Sequence, residues 1–135
     1  MRTNSWRFRF WLLLLVVMVA AIEASAKDKP GPHIYSNVHE VEGGIDLVGT
    51  ELELTIAGTA ATGVLRIYDG RCAEPVPVTG SASGNTIHIV GEGVGFGKVE
   101  VTAHFRHGRL DGSLKLDRAH TTEPIRLKKI AKPHC

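Results

Sequence analysis

From residue 34 onward, apolar side chains recur at every second position in short stretches, and glycine-rich breaks separate the stretches. A two-residue period sends alternate side chains to opposite faces of an extended strand, whereas a helix needs apolar residues three and four apart. In 51–56, Leu52, Leu54 and Ile56 share one face and Glu51, Glu53 and Thr55 the other. The pattern predicts strands over 34–41, 45–48, 51–56, 64–68, 76–79, 86–90, 98–106, 110–117 and 125–130. Turn signals stand at Gly43-Gly44, 58–63, Asp69-Gly70, Gly84-Asn85 and His107-Gly108. Apolar parity switches between Leu47 and Leu52, so Gly49 is expected to mark a bulge or bend.

One hairpin can be placed residue by residue. With His107-Gly108 as a two-residue turn, Phe105 faces Leu110, Ala103 faces Gly112, Val101 faces Leu114 and Val99 faces Leu116 on the inner side. The outer side then pairs His104 with Asp111, Thr102 with Ser113, Glu100 with Lys115 and Lys98 with Asp117. A slip of one residue would turn the apolar set outward, so this register is strongly specified. Eight or nine short strands joined by tight turns favour an all-β, antiparallel meander without helical crossovers. Closure into a barrel would remove the exposed edges; a two-sheet sandwich is the alternative.

The pattern is different before residue 27. Arg2, Arg7 and Arg9 precede an apolar run over 10–22, and Ala24-Ser25-Ala26 offers small residues at a cleavage site. This is the form of a secretory signal, so residues 1–26 are expected to form a signal helix that is removed on export. The proline- and glycine-bearing 27–33 should be a mobile arm, and 34–135 a single β domain. No other apolar stretch is long enough to span a bilayer as a helix, so no stable membrane insertion is expected after cleavage.

Removing the leader changes the electrostatics. Three of the 16 Lys and Arg and one of the 14 Asp and Glu lie within it, which leaves the mature chain neutral and removes the basic balance that would suggest nucleic acid. Both tryptophans also leave, so Tyr35, Tyr68, Phe96 and Phe105 are the remaining aromatics and the core must be mostly aliphatic. Cys72 and Cys135 are the only cysteines. In an exported chain a bridge between them is the expected state, against intermolecular pairing or free thiols.

Candidate chemistry is sparse. All seven histidines fall in the mature chain, at His33, His39, His88, His104, His107, His120 and His134, but none shows paired metal-ligand spacing, so no metal or other cofactor is expected and the histidines read as surface groups. His104 opposite Asp111 has the composition of a catalytic dyad but lacks an activated nucleophile. Glu51 and Glu53 project together from an outward face that offers no low-dielectric pocket, which makes them solvated carboxylates and the chain no enzyme. The stretch 91–97, GEGVGFG, lacks the order and the helix of a phosphate loop and reads as a flexible connection. Phe96, with Gly93 and Gly95 before it, forms the candidate binding site there, an apolar ring able to close over a ligand or enter a partner. Arg118 to His120, together with Lys128, Lys129, Lys132 and His134, form a positive cluster that could meet an anionic surface or protect a strand edge.

The segment 35–41 leading into EGGIDLVGTELEL, followed by DGRCAEPVPV, GNTIHIV, GRLDGSLKL and EPIRLKK, resembles a family of small exported bacterial proteins of unassigned function. The likeness spans about 33–130. It implies an all-β, barrel-like exported domain and carries over no catalytic residue. Similar chains end in an aromatic pair where this one has Pro133-His134-Cys135, a departure that fits a C-terminus held by a bridge to Cys72. The resulting expectation is a periplasmic or extracellular, non-catalytic module that engages a protein or cell-envelope component through the loops at 91–97 and 58–63. The alternative is a carrier of a small apolar ligand inside a barrel.

Overall fold

The structure, a computed structural model, describes residues 31–41, 43–44 and 46–135. The expected signal segment and most of the expected arm lie outside the described residues. Nine strands follow in chain order: β1 (His33–Ser36), β2 (His39–Glu40), β3 (Leu47–Ala57), β4 (Ala60–Asp69), β5 (Val76–Ser83), β6 (Thr86–Gly93), β7 (Gly97–Arg106), β8 (Arg109–Leu116) and β9 (Thr121–Ile130). From β3 to β9 each strand pairs antiparallel with its successor, and β1 closes the ring by pairing with both β9 and β3. β2 continues the line of β1 along β3, so the wall has eight strand positions. The fold is a closed antiparallel β-barrel rather than a sandwich.

Eight strands enclose a width that side chains can fill. The inward positions do so with aliphatic residues: Leu52, Leu65, Ile87, Val101, Leu110 and Leu127 are completely buried, and they belong to one contiguous apolar cluster. Two of the four aromatics, Tyr35 and Phe105, meet in this interior with ring centroids 5.8 Å apart. The β7–β8 hairpin has the register expected from its alternation, from Val99 opposite Leu116 to Arg106 opposite Arg109. His107 and Gly108 both have positive φ, +49° and +73°, the two-residue turn whose twist matches that of the flanking strands.

Several boundaries differ from the sequence expectation, β5 and β9 each being four residues longer than expected, and three of the differences have a local reason. The stretch 34–41 is broken: Asn37 and Val38 bulge out between β1 and β2, while 45–48 and 51–56 form one strand from Leu47 onward. Asn37 keeps the ladder intact across the bulge. Its N–H donates to Thr50 O at 3.1 Å and its side-chain Oδ1 accepts from Thr50 N at 2.7 Å, replacing a main-chain carbonyl. Gly49 makes room for this. At φ +135° a Cβ would lie 2.7 Å from Asn37 Oδ1 and 2.8 Å from Val38 Cα, so the irregularity expected at Gly49 is an accommodation of the bulge on the partner strand. Finally, the glycine-rich 58–63 and 91–97 are mostly strand, with only Gly58-Thr59 and 94–96 turning. Gly63 and Gly91 sit where a neighbouring strand's carbonyl occupies the place of a Cβ, so glycine there serves close approach in a strongly curved wall.

The alternating strand direction sorts the connections. The short β3–β4, β5–β6 and β7–β8 turns lie at one end of the barrel, and the connections over 70–75, 94–96 and 117–120 at the other.

Candidate functional site

The last five residues form no strand, yet they cross the outside of the barrel as a strap. β9 ends at Ile130, and Cys135 is bonded to Cys72 just beyond β4, with Cα atoms 5.9 Å apart. From β9 the wall runs β1, β3, β4, so the strap crosses β1 and β3 to reach the residues after β4. The expected intramolecular disulfide is present, and such a bond persists in an oxidising, non-cytoplasmic environment.

Beneath the strap lies Glu51. Its carboxylate projects from the outer face of β3, as the alternation requires, but it is 0% exposed. The expectation of a solvated carboxylate is therefore wrong: a segment 83 residues away in sequence covers it. Each oxygen is engaged. His134 Nδ1 donates to Oε2 at 2.6 Å, and the His134 main-chain N–H reaches both oxygens at 3.3 and 3.4 Å. The Tyr68 hydroxyl donates to Oε1 at 3.2 Å, and Arg66 Nη1 stands 3.9 Å from the same oxygen while bonding Glu53 at 3.5 Å. A buried charge is tolerated where charge-assisted hydrogen bonds replace its water, and this set supplies them. Burial, then the adjacent Glu51 carboxylate, hold the Tyr68 phenol above its ordinary range. The phenol thus remains a donor to Glu51. His134 also meets Tyr68 edge to face, with ring centroids 6.3 Å apart.

His134 stays at the surface, its side chain 31% accessible, yet it is the keystone of this cluster. Its signal was the neighbouring cysteine: a bridge from Cys135 to the residue group after β4 brings residue 134 over the β3–β4 wall, where Glu51, Arg66 and Tyr68 project. An Nδ1–carboxylate contact orients an imidazole in general-base sites. Here the same carboxylate also grips the main chain and the tyrosine, so its role is to latch the strap.

Beside the strap, between it and the outer faces of β1 and β9, opens a groove of about 380 Å³. Arg126 and Lys128 from β9, Ser36 and Asn37 from the end of β1, and His134 from the strap line it, with Val38 and Ile130 as apolar wall. No carboxylate is among the lining residues. Among the described residues the ion pairs are those of Arg66 with Glu51 and Glu53, His88 with Glu100 and His134 with Glu51, so Arg126 and Lys128 take part in none.

The other sequence candidates are scattered. Phe96 is partly buried and packs against the core, its ring over Gly93 and its carbonyl accepting from Arg118 N. The exposed apolar side chain of that turn is Val94, 89% accessible, with Gly95 beside it at φ +90°. His104 stands opposite Asp111 in register, but its Nδ1 lies 3.0 Å from Thr86 Oγ1, and Asp111 Oδ1 is buried without a hydrogen-bond partner among the described residues. Glu100 faces Lys115, yet its 2.8 Å contact is with His88 on β6, and that hydrogen bond is the main cause holding its carboxyl below the usual range. Among the described residues no three His, Cys, Asp or Glu side chains converge on a metal-sized position. No family model, curated protein or solved structure matches the chain.

Proposed function

We propose that this protein is a non-catalytic binding module, exported to the periplasm or the extracellular medium, that holds a cell-envelope component in the groove between the strap and β1/β9. Membership of a family of small exported bacterial proteins belongs to the same reading. The observation that carries it is the pairing of a disulfide-tied strap with two cations, Arg126 and Lys128, that line a concave site without a carboxylate and form no ion pair among the described residues. Preorganised concave sites with a few converging polar groups are where small ligands bind. The turn bearing Val94, Gly93, Gly95 and Phe96 supplies a second contact surface for a protein partner, with Val94 rather than Phe96 as its protruding side chain.

The contiguous packing of inward side chains supports a filled interior over the carrier of an apolar ligand. The outer wall carries charged and hydroxyl side chains, such as Thr102, Lys115 and Arg126, which supports a water-facing barrel over one with its outer band in lipid. The test is amide chemical-shift mapping of the isotope-labelled, oxidised protein against fractionated envelope extract. Shifts centred on Ser36, Asn37 and Lys128 are expected. Shifts confined to 94–96 would move the site to that turn, and no shift with any fraction would contradict a binding role.

A further inference from the structure

We propose that the groove recognises a phosphate monoester carried on a small organic body. This rests on reading the groove as the binding site and names the chemistry it selects. Arg126 presents a planar fork able to take two oxygens of one oxyanion, and Lys128, two residues along the same outward face of β9, adds a second positive charge. Two cations that form no ion pair among the described residues match the two charges of a phosphate monoester; a carboxylate would leave one uncompensated. The one acidic side chain in register with Arg126 is Asp111, and the two form no ion pair.

The polar lining adds neutral hydrogen-bonding groups. Ser36 is buried and its Oγ accepts from Val38 N at 3.1 Å, so its hydroxyl proton is free to be donated. Asn37 spends its Oδ1 on Thr50 N, which leaves its amide nitrogen as a donor. Glu51 lies close behind but is buried, hydrogen-bonded by His134 and Tyr68 with Arg66 3.9 Å away, and is not among the residues that line the groove. The groove volume of about 380 Å³ exceeds a lone oxyanion and leaves space for an organic body against Val38 and Ile130.

The experiment titrates the oxidised protein with glycerol 3-phosphate, with glycerate as the carboxylate analogue, and with phosphatidylcholine vesicles containing phosphatidic acid. Glycerol 3-phosphate should shift the Ser36 and Lys128 amides, and the R126Q/K128Q variant should bind about tenfold or more weakly while Lys115→Gln, on another part of the wall, binds like the parent. Vesicle binding with the same dependence on Arg126 and Lys128, without response to the soluble ester, supports the same chemistry and assigns it to a lipid headgroup. Equal affinity for glycerate, unchanged binding by R126Q/K128Q, or no response to either phosphate probe overturns the proposal. If envelope extract still shifts the groove amides in that last case, the phosphate assignment fails while the binding role stands.

Discussion

The β7–β8 hairpin and the outer wall of β3–β4 are built from the same alternation and end in opposite environments. On the hairpin, outward Thr102, His104 and Lys115 are exposed, as a polar outer face should be. On β3–β4, outward Glu51 and Tyr68 are as buried as the core. What differs is a covering segment that neither strand encodes. Strand alternation determines which way a side chain points; whether that direction leads to water depends on what else the chain lays over the wall.

The largest expected effect breaks this cover. Replacing both Cys72 and Cys135 by alanine opens a loop of 63 residues and should cost about 4 kcal/mol in urea denaturation, most of it from the unfolded chain's regained freedom. A loss below about 1 kcal/mol would mean that the strap is held by its noncovalent contacts. Next, Glu51→Ala leaves the His134 N–H groups and the Tyr68 hydroxyl without their acceptor and should destabilise by about 3 kcal/mol. Glu53→Ala, one step along the same face but partly exposed, should cost well under half of that, and equal losses would erase the distinction between covered and open wall.

Tyr68 sharpens the comparison through pH. Its folded-state pKa is raised, so the stability it contributes is fully present below the ordinary phenol value of 10.0 and is lost as pH rises through the folded value. Denaturation midpoints of the parent should therefore fall more steeply above pH 10 than those of Tyr68→Phe, which lacks the group; parallel curves would show no coupling between the phenol and its covered site. The smallest effect belongs to the open hairpin. Glu100 has a lowered pKa from its contact with His88, so any contribution is present above the ordinary carboxyl value of 4.5 and disappears as pH falls through the lower folded one. Being partly exposed and screened by solvent, it should leave the midpoint of Glu100→Gln nearly unchanged at neutral pH, and a clear shift would indicate that this face is less open to water.

How much was legible follows the same division. The hairpin register and the all-β class came from parity and turn residues, because those are local rules that hold wherever one face of a strand is buried; barrel against sandwich stayed open, because closure rests on the distant β1–β9 pairing. Gly49 announced an irregularity, but its cause, the Asn37-Val38 bulge, lies on the other strand and leaves no mark on the parity of 51–56. The bridge was expected from two cysteines behind a segment that reads as an export signal. Its consequence was not drawn, since placing His134 over Glu51 needs strand order as well as the bond. The Arg126–Lys128 groove is equally a product of order: β9 and β1, whose paired residues lie 92 to 96 apart in sequence, become neighbours only when the barrel closes.

The decisive measurement is a double-mutant cycle between Glu51→Gln and the paired cysteine replacement, read by urea denaturation at neutral pH. If strap and buried carboxylate form one unit, Glu51→Gln should cost at least about 1 kcal/mol less once the disulfide is gone than when it is intact. Additive losses, agreeing within about 0.5 kcal/mol, would contradict the claim that the tethered C-terminus is what buries and holds Glu51.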